Sequence, residues 1–365
     1  MNNKKGHLRE VVLLFLKLGF LSYGGPAAHT ALMQEEIVRK RKWVTEERFL
    51  DLLSASHLIP GPNSTELAIQ LSYERAGWAG LLLGGSAFIL PAFLFVFLLA
   101  RLYSTYNDLG FLPSILLGMQ AVIFAIILQA LLNLGKSALK RPVLYGVLVV
   151  ALIARYFGIS EIAILAICAA LTWLMKKASS LRSVALPSLL LSAGSIGISE
   201  LFLRFFKIGA LLYGSGYVLI AYLQSELVET GYLSSALLLD AVTIGQLTPG
   251  PLFTTATFVG YQLAGAWGAV MATLGIFLPS FLLVALLVKI TDKLRKSSTL
   301  SLLLDGINIG SLALMGYTSV ILTKSVFTHP LTIGITAISF ALLRTKKIDA
   351  LWLIAAGALL GYFFL

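Results

Sequence analysis

Four stretches of this 365-residue chain, 76–102, 111–134, 264–290 and 300–322, stay apolar for longer than the roughly 20 residues a helix needs to cross a bilayer. Backbone in hydrocarbon must satisfy its own N–H and C=O groups, so such runs fold as membrane helices. Shorter apolar runs at 142–157, 159–174, 330–343 and 348–365 are delimited as further spans by Lys140, Arg141, Lys176, Lys177, Arg344, Lys346 and Lys347. Charged residues make up only 12% of the chain, about half the share usual in soluble domains. The expected class is an all-α integral membrane protein, multi-pass in the cell membrane.

The formal charge of +11 is carried largely by Lys and Arg in short loops, where the positive-inside rule accounts for it without a nucleic-acid partner. The single cysteine, Cys168, lies in an apolar run and has no companion for a disulfide, a CxxC redox pair or a metal site. Lys4, Lys5 and Arg9 precede an apolar stretch as in a signal peptide. Lys17 interrupts that stretch, however, and the N-terminus reads as uncleaved. No Walker A loop, GxGxxG, HExxH or cysteine cluster is present, so no cofactor, metal or ATP-driven chemistry is expected.

The chain repeats itself. A shift of 190 lays Phe15–Gly25 on Phe205–Ser215, matching Lys17 with Lys207, Gly19 with Gly209, Tyr23 with Tyr213 and Gly24 with Gly214. At 189, Asp51 falls on Asp240 and Pro60, Gly61, Pro62 on Pro249, Gly250, Pro251; at 188, Tyr73, Gly77 and Pro91 fall on Tyr261, Gly265 and Pro279. Such a duplication predicts two repeats, 1–178 and 197–365, joined through 179–196. The loop with Arg39, Lys40, Arg41 and Lys42 has a counterpart, QSELVETGY, without a basic residue. Equivalent loops therefore sit on opposite sides, the repeats are inverted, and each half crosses an odd number of times. Five crossings per half, about ten transmembrane helices in all, fit the runs: a broken opening helix and four full spans, with a PGP hairpin that does not cross. This count places the basic N-terminus outside.

Each half is broken twice by helix-incompatible residues: Gly24, Gly25 and Pro26 with Pro60, Gly61 and Pro62 in the first, Gly214 and Gly216 with Pro249, Gly250 and Pro251 in the second. At membrane depth such backbone survives only inside protein or beside a wet cavity, and inverted-repeat transporters aim half-helix N-termini at anionic substrates there. Asn63 or Ser64 can cap the helix resuming toward Glu66, with Thr254 and Thr255 in the second copy. Lys17 and Lys207 either neutralise a dianion together or snorkel to the interface. Glu66, whose counterpart is Thr255, is a candidate for proton or cation coupling, or else complements a helix dipole. His29 and His57, with counterparts Leu219 and Gln246, either titrate near neutrality or pack as polar residues. Glu74 and Arg75 are expected to form a mutual salt bridge.

GGPAAHTALMQEEIVRKRKW, LIPGPNSTELAIQL and FILPAF in the first half, with YGSGYVLIAYLQSELV, LTPGPLFTTATFVGY and FLPSF in the second, resemble the chromate ion transporters in their long, two-half form. The resemblance implies chromate efflux from the cytoplasm, with sulfate as the related tetrahedral dianion, and antiparallel halves; with no ATP-binding motif, coupled protons or a counter-anion are the expected co-substrates. It carries the family's first motif onto Gly24, Gly25, Pro26 and His29, and its second onto Pro60, Gly61, Pro62, Asn63, Thr65 and Glu66. The second PGP lacks the Asn. A homodimer is one assembly considered. The rival readings are transport of sulfate or a small carboxylate, and an enzyme acting on a lipid phosphate beside His29, His57 and Glu66.

Overall fold

The computed structural model describes residues 3–23, 25–106, 111–176, 197–213, 216–294, 298–345 and 348–365. The expected junction at 179–196, and Gly24 and Gly214, lie outside the described residues. Every described element is helical. The first half runs α1 (Asn3–Leu21), α2 (Pro26–Met33) continued by a π-helical stretch (Gln34–Lys40), α3 (Glu46–Ser56), α4 (Asn63–Tyr106), α5 (Leu112–Ala138), α6 (Val143–Tyr156) and α7 (Glu161–Lys176). The second repeats this order: α8 (Ile198–Leu211), α9 (Val218–Leu223) with its own π-helical stretch (Gln224–Val228), α10 (Ser235–Leu247), a short 3-10 turn (Leu252–Thr254) opening α11 (Thr255–Leu294), α12 (Ser298–Val326), α13 (Pro330–Thr345) and α14 (Ala350–Phe364).

Helices α4 and α11 are hairpins rather than rods. Gly77 (φ 63°, ψ −150°) and Gly265 (φ 61°, ψ −153°) reverse the chain in a left-handed conformation that favours glycine. The arms then lie in close contact. A Cβ on Gly80 would stand 2.2 Å from the Ser72 carbonyl oxygen, and one on Gly268 would stand 2.1 Å from that of Gly260. Each hairpin thus has a short arm, 63–76 or 255–264, and a long arm, 78–106 or 266–294. The long arms carry Pro91 and Pro279 near their centres, and on α4 they turn Leu82, Leu90, Leu94 and Leu98 outward, as a lipid-facing surface requires.

The opening segments differ from the expected broken span. Lys17 Nζ lies 3.1 Å from Glu36, while Glu10 accepts hydrogen bonds from Trp43 Nε1 at 3.2 Å and from Arg75 at 2.9 Å. The start of α1, the loop after α2 and the α4 hairpin tip therefore meet at one end, so α1 and α2 enter and return on the same side. This puts the first turns of α1 beside the basic loop 39–42. The second half copies the arrangement, with Lys207 on Glu226 and Tyr232 Oη on Glu200 at 3.2 Å. Among the described residues, four helical stretches are long and apolar enough to cross a membrane, in α4, α5, α11 and α12.

Glu74 and Arg75 do not pair with each other. Adjacent helical residues point away from each other, so Glu74 takes Arg48 and Arg75 takes Glu10.

Small residues allow the tight packing that drives helix association in lipid. A Cβ on Gly118 would lie 2.1 Å from the Gly357 carbonyl oxygen, joining α5 to α14, and one on Gly306 would lie 2.4 Å from that of Cys168, joining α12 to α7. In each half the opening helix packs on the long arm in the same way: a Cβ on Gly19 would be 2.6 Å from the Phe88 oxygen, and one on Gly209 would be 2.2 Å from that of Ile276.

Two contacts join the halves reciprocally. Gly61 N–H donates to the Leu212 carbonyl at 2.8 Å, and Gly250 N–H donates to the Ser22 carbonyl at 2.7 Å. Ser22 and Leu212 are equivalent under the repeat, as are Gly61 and Gly250, so each PGP glycine holds the break of the other half. The α4 long arm packs along the α11 hairpin, Gly85 meeting Phe281 on the long arm of α11 while Phe97 stacks edge-on against Tyr261 on its short arm at 5.3 Å.

Candidate functional site

The four interruptions converge. A cavity of about 250 Å³ is lined by Ser22, Gly25, Pro26 and His29 from the first break, Gly61, Pro62, Asn63 and Ser64 from the first PGP turn, Gly216 and Tyr217 from the second break, and Gly245, Gln246, Thr248, Gly250, Pro251, Leu252 and Phe253 around the second PGP turn. It lies halfway along the long arms, since a Cβ on Gly250 would stand 2.8 Å from that of Ala92. A water molecule's share of liquid volume is about 30 Å³, so a small tetrahedral ion fits with part of its hydration.

Among the described residues, no Lys, Arg, Asp or Glu lines the cavity. Its electrostatics come instead from backbone: the N-termini of α2 and α4 open onto it, as do the starts of α9 and of the turn into α11. The first N–H groups of a helix have no intrahelical acceptor, and each N-terminus behaves as roughly half a positive charge. Four such ends amount to about two positive charges, the balance a dianion needs.

His29, 1% exposed, ties these parts together. Its Nε2 is 3.1 Å from the Ser22 carbonyl oxygen, which only accepts, so Nε2 carries the proton and Nδ1 accepts from Ser64 Oγ at 3.1 Å. A line of hydrogen bonds therefore runs from Ser64 on α4 through His29 to the Ser22 carbonyl that also receives Gly250 N–H. With both ring nitrogens engaged, His29 fixes the break rather than offering a free base.

A second, wider cavity of about 490 Å³ adjoins the first and shares Asn63 and Tyr217 with it; His57, Asn133, Ser137, Tyr213 and Asn308 supply its other polar groups. Tyr213 Oη donates to the His57 carbonyl, and Tyr217 is hydrogen-bonded to Gln246. An apolar hollow of about 410 Å³ between α4 and α11 offers only Ser86 and Thr273 as polar lining and does not suit an ion.

Of the residues expected from the sequence, Gly25, Pro26, His29, Gly61, Pro62, Asn63, Gly216, Gly250 and Pro251 meet around the central cavity. His57 and Tyr213 line the adjoining one. Pro60 and Pro249 shape the turns without lining either. Thr65, Thr254 and Thr255 are fully buried just behind the turns, with Thr254 Oγ1 donating to the Pro251 carbonyl. Lys17 and Lys207 line neither cavity and pair with Glu36 and Glu226. Glu66 stands immediately behind Gly61: a Cβ there would lie 1.9 Å from Glu66 Oε1. Ser22, Tyr217 and Thr248 join the lining without having been singled out, and Ser64, expected as a helix cap, lines it as well. Each flanks a break, and that adjacency was the available signal.

The family profile described as Chromate transporter matches residues 9–173 and again 199–362, once in each half. A chromate transport protein of Cupriavidus metallidurans is 30% identical over 370 residues, covering 97% of this chain and 92% of that protein. One of Pseudomonas aeruginosa is 29% identical, covering 95% and 90%. An uncharacterized transporter of Methanocaldococcus jannaschii is 25% identical, covering 98% and 94%. No solved structure matches.

Proposed function

The chain belongs to the chromate transporter family, and from that premise we propose that it is a secondary transporter exporting chromate, or a related tetrahedral oxyanion such as sulfate, by alternating access between two inverted repeats. The observation that carries this reading is the cavity enclosed by the four broken segments, which presents helix N-termini and no charged side chain to a bound ion. Reciprocal hydrogen bonds between equivalent positions of the two halves support inversion.

The adjoining cavity is the access route. It reaches Ser137, one residue from the end of α5 and beside the basic loop with Lys140 and Arg141, which the positive-inside rule assigns to the cytoplasm. Asn63 and Tyr217 form the wall between vestibule and site, so an ion entering from the cytoplasm passes between them. The relatives are named transporters, and a lipid-phosphate hydrolase is disfavoured because His29 has no nitrogen left to act as a base.

The test is chromate uptake into inside-out vesicles, with sulfate as competitor. Asn63→Ala should cut uptake at least tenfold, whereas Lys17→Ala should stay within about threefold of wild type, the two factors corresponding to about 1.4 and 0.65 kcal/mol. Uptake insensitive to Asn63→Ala but abolished by Lys17→Ala would move the anion site to the lysines.

A further inference from the structure

We propose that Glu66 is the one proton-binding group of the transport site, and that the oxyanion binds while this carboxyl is protonated, so that proton and anion occupy the protein together. The inference rests on the reading of the central cavity as the oxyanion site.

Glu66 is fully buried in the short arm of α4. Its Oε1 accepts from Ser280 Oγ of the other half at 2.5 Å, and its Oε2 has no hydrogen-bond partner. An ionised carboxylate so placed would have no cation paired with it and only the Ser280 hydroxyl and its own backbone N–H as donors, and taking a proton is the usual escape. The carboxyl is one backbone thickness from the cavity, since Gly61, which lines the cavity, packs directly on Oε1.

Titratable groups on the surrounding elements are engaged elsewhere. On α1, Lys17 is paired with Glu36, and Glu10 with Arg75 and Trp43. His29 of α2 is held by Ser64 and Ser22. On α3, Arg48 pairs with Glu74 and Glu46 accepts from Gln34, and His57 just beyond it hydrogen-bonds the Leu53 backbone; Glu47 and Asp51 are the other acidic groups of this helix. Asp240 of α10 accepts from Tyr103 and Gln120. From α11, Ser280 is the polar group that meets the carboxyl.

The repeat isolates this feature. Under the duplication Glu66 corresponds to Thr255 and Ser280 to Ala92, and in the second copy Gly250 packs against the Ala92 methyl. The same turn therefore has a titratable group behind it in one half and none in the other. A dianion in the cavity repels a negative charge behind Gly61 and favours its neutralisation. By linkage the proton favours the dianion equally.

The test measures binding of sulfate and of chromate to the purified full-length chain by calorimetry across pH, together with proton uptake on binding. Sulfate keeps its charge over this range, so its proton change belongs to the protein. Wild-type affinity for sulfate should fall up to tenfold per pH unit once Glu66 is ionised in the free protein, with about one proton taken up per anion bound. Glu66→Gln should bind with little dependence on pH and without proton uptake. PH-independent wild-type binding with no proton uptake would overturn the assignment while leaving the oxyanion site standing. Binding of neither anion at any pH would remove the site itself. Proton uptake is read on wild type, so the result does not depend on the variant folding.

Discussion

At the residue scale the three left-handed glycines around the cavity should be unequally replaceable. Gly25 (φ 82°) has open space where a Cβ would stand, Gly250 (φ 97°) has the Ala92 methyl at 2.8 Å, and Gly61 (φ 132°) has Glu66 Oε1 at 1.9 Å. Alanine at Gly25 should cost roughly 1–2 kcal/mol of backbone strain. Alanine at Gly61 should add a further 1–3 kcal/mol or so from overpacking, with Gly250 between them. Thermal unfolding in detergent checks the order; a Gly61 variant as stable as the Gly25 variant would contradict the contact with Glu66. The glycines and prolines were legible in the sequence because a chemistry hostile to helices recurs at fixed offsets in an apolar chain. Glu66 was legible as a polar residue without a symmetric counterpart. Its partner Ser280 was not, because 214 residues separate them and no local pattern encodes that contact.

At the scale of elements, the re-entrant hairpins are held by backbone proximity rather than by ion pairs. Gly268→Ala would force a Cβ to within 2.1 Å of a backbone oxygen across the α11 hairpin, and should destabilise by about 1–3 kcal/mol. Lys17→Ala removes an ion pair whose lysine side chain is 52% exposed, and should cost no more than about 1 kcal/mol. Melting of the two variants side by side tests this, and a larger loss at Lys17 would restore it as a structural or binding centre. The apolar runs revealed the long arms but not the reversals at Gly77 and Gly265, because hydropathy is blind to a change of direction inside an apolar stretch. A signal for the opening hairpins was nonetheless present: Lys17 and Glu36 recur as Lys207 and Glu226 at the same separation of 19, a spacing kept when two arms face each other.

For the whole molecule, the unequal charge of the two equivalent loops, four basic residues in one (Arg39, Lys40, Arg41 and Lys42) and none in the other, predicts that they lie on opposite faces. Cysteines placed at Lys40 and Thr230 on a Cys168→Ala background test this, since buried Cys168 would otherwise be the one native thiol. A membrane-impermeant thiol reagent should label the Thr230 position in intact cells and the Lys40 position only in inside-out vesicles. Labelling of both from one side would make the halves parallel, and the pseudo-two-fold exchange at Gly61 and Gly250 would then lose its role in alternating access. Opposite labelling would place the paired breaks where a two-fold axis in the membrane plane can present one site to each side in turn.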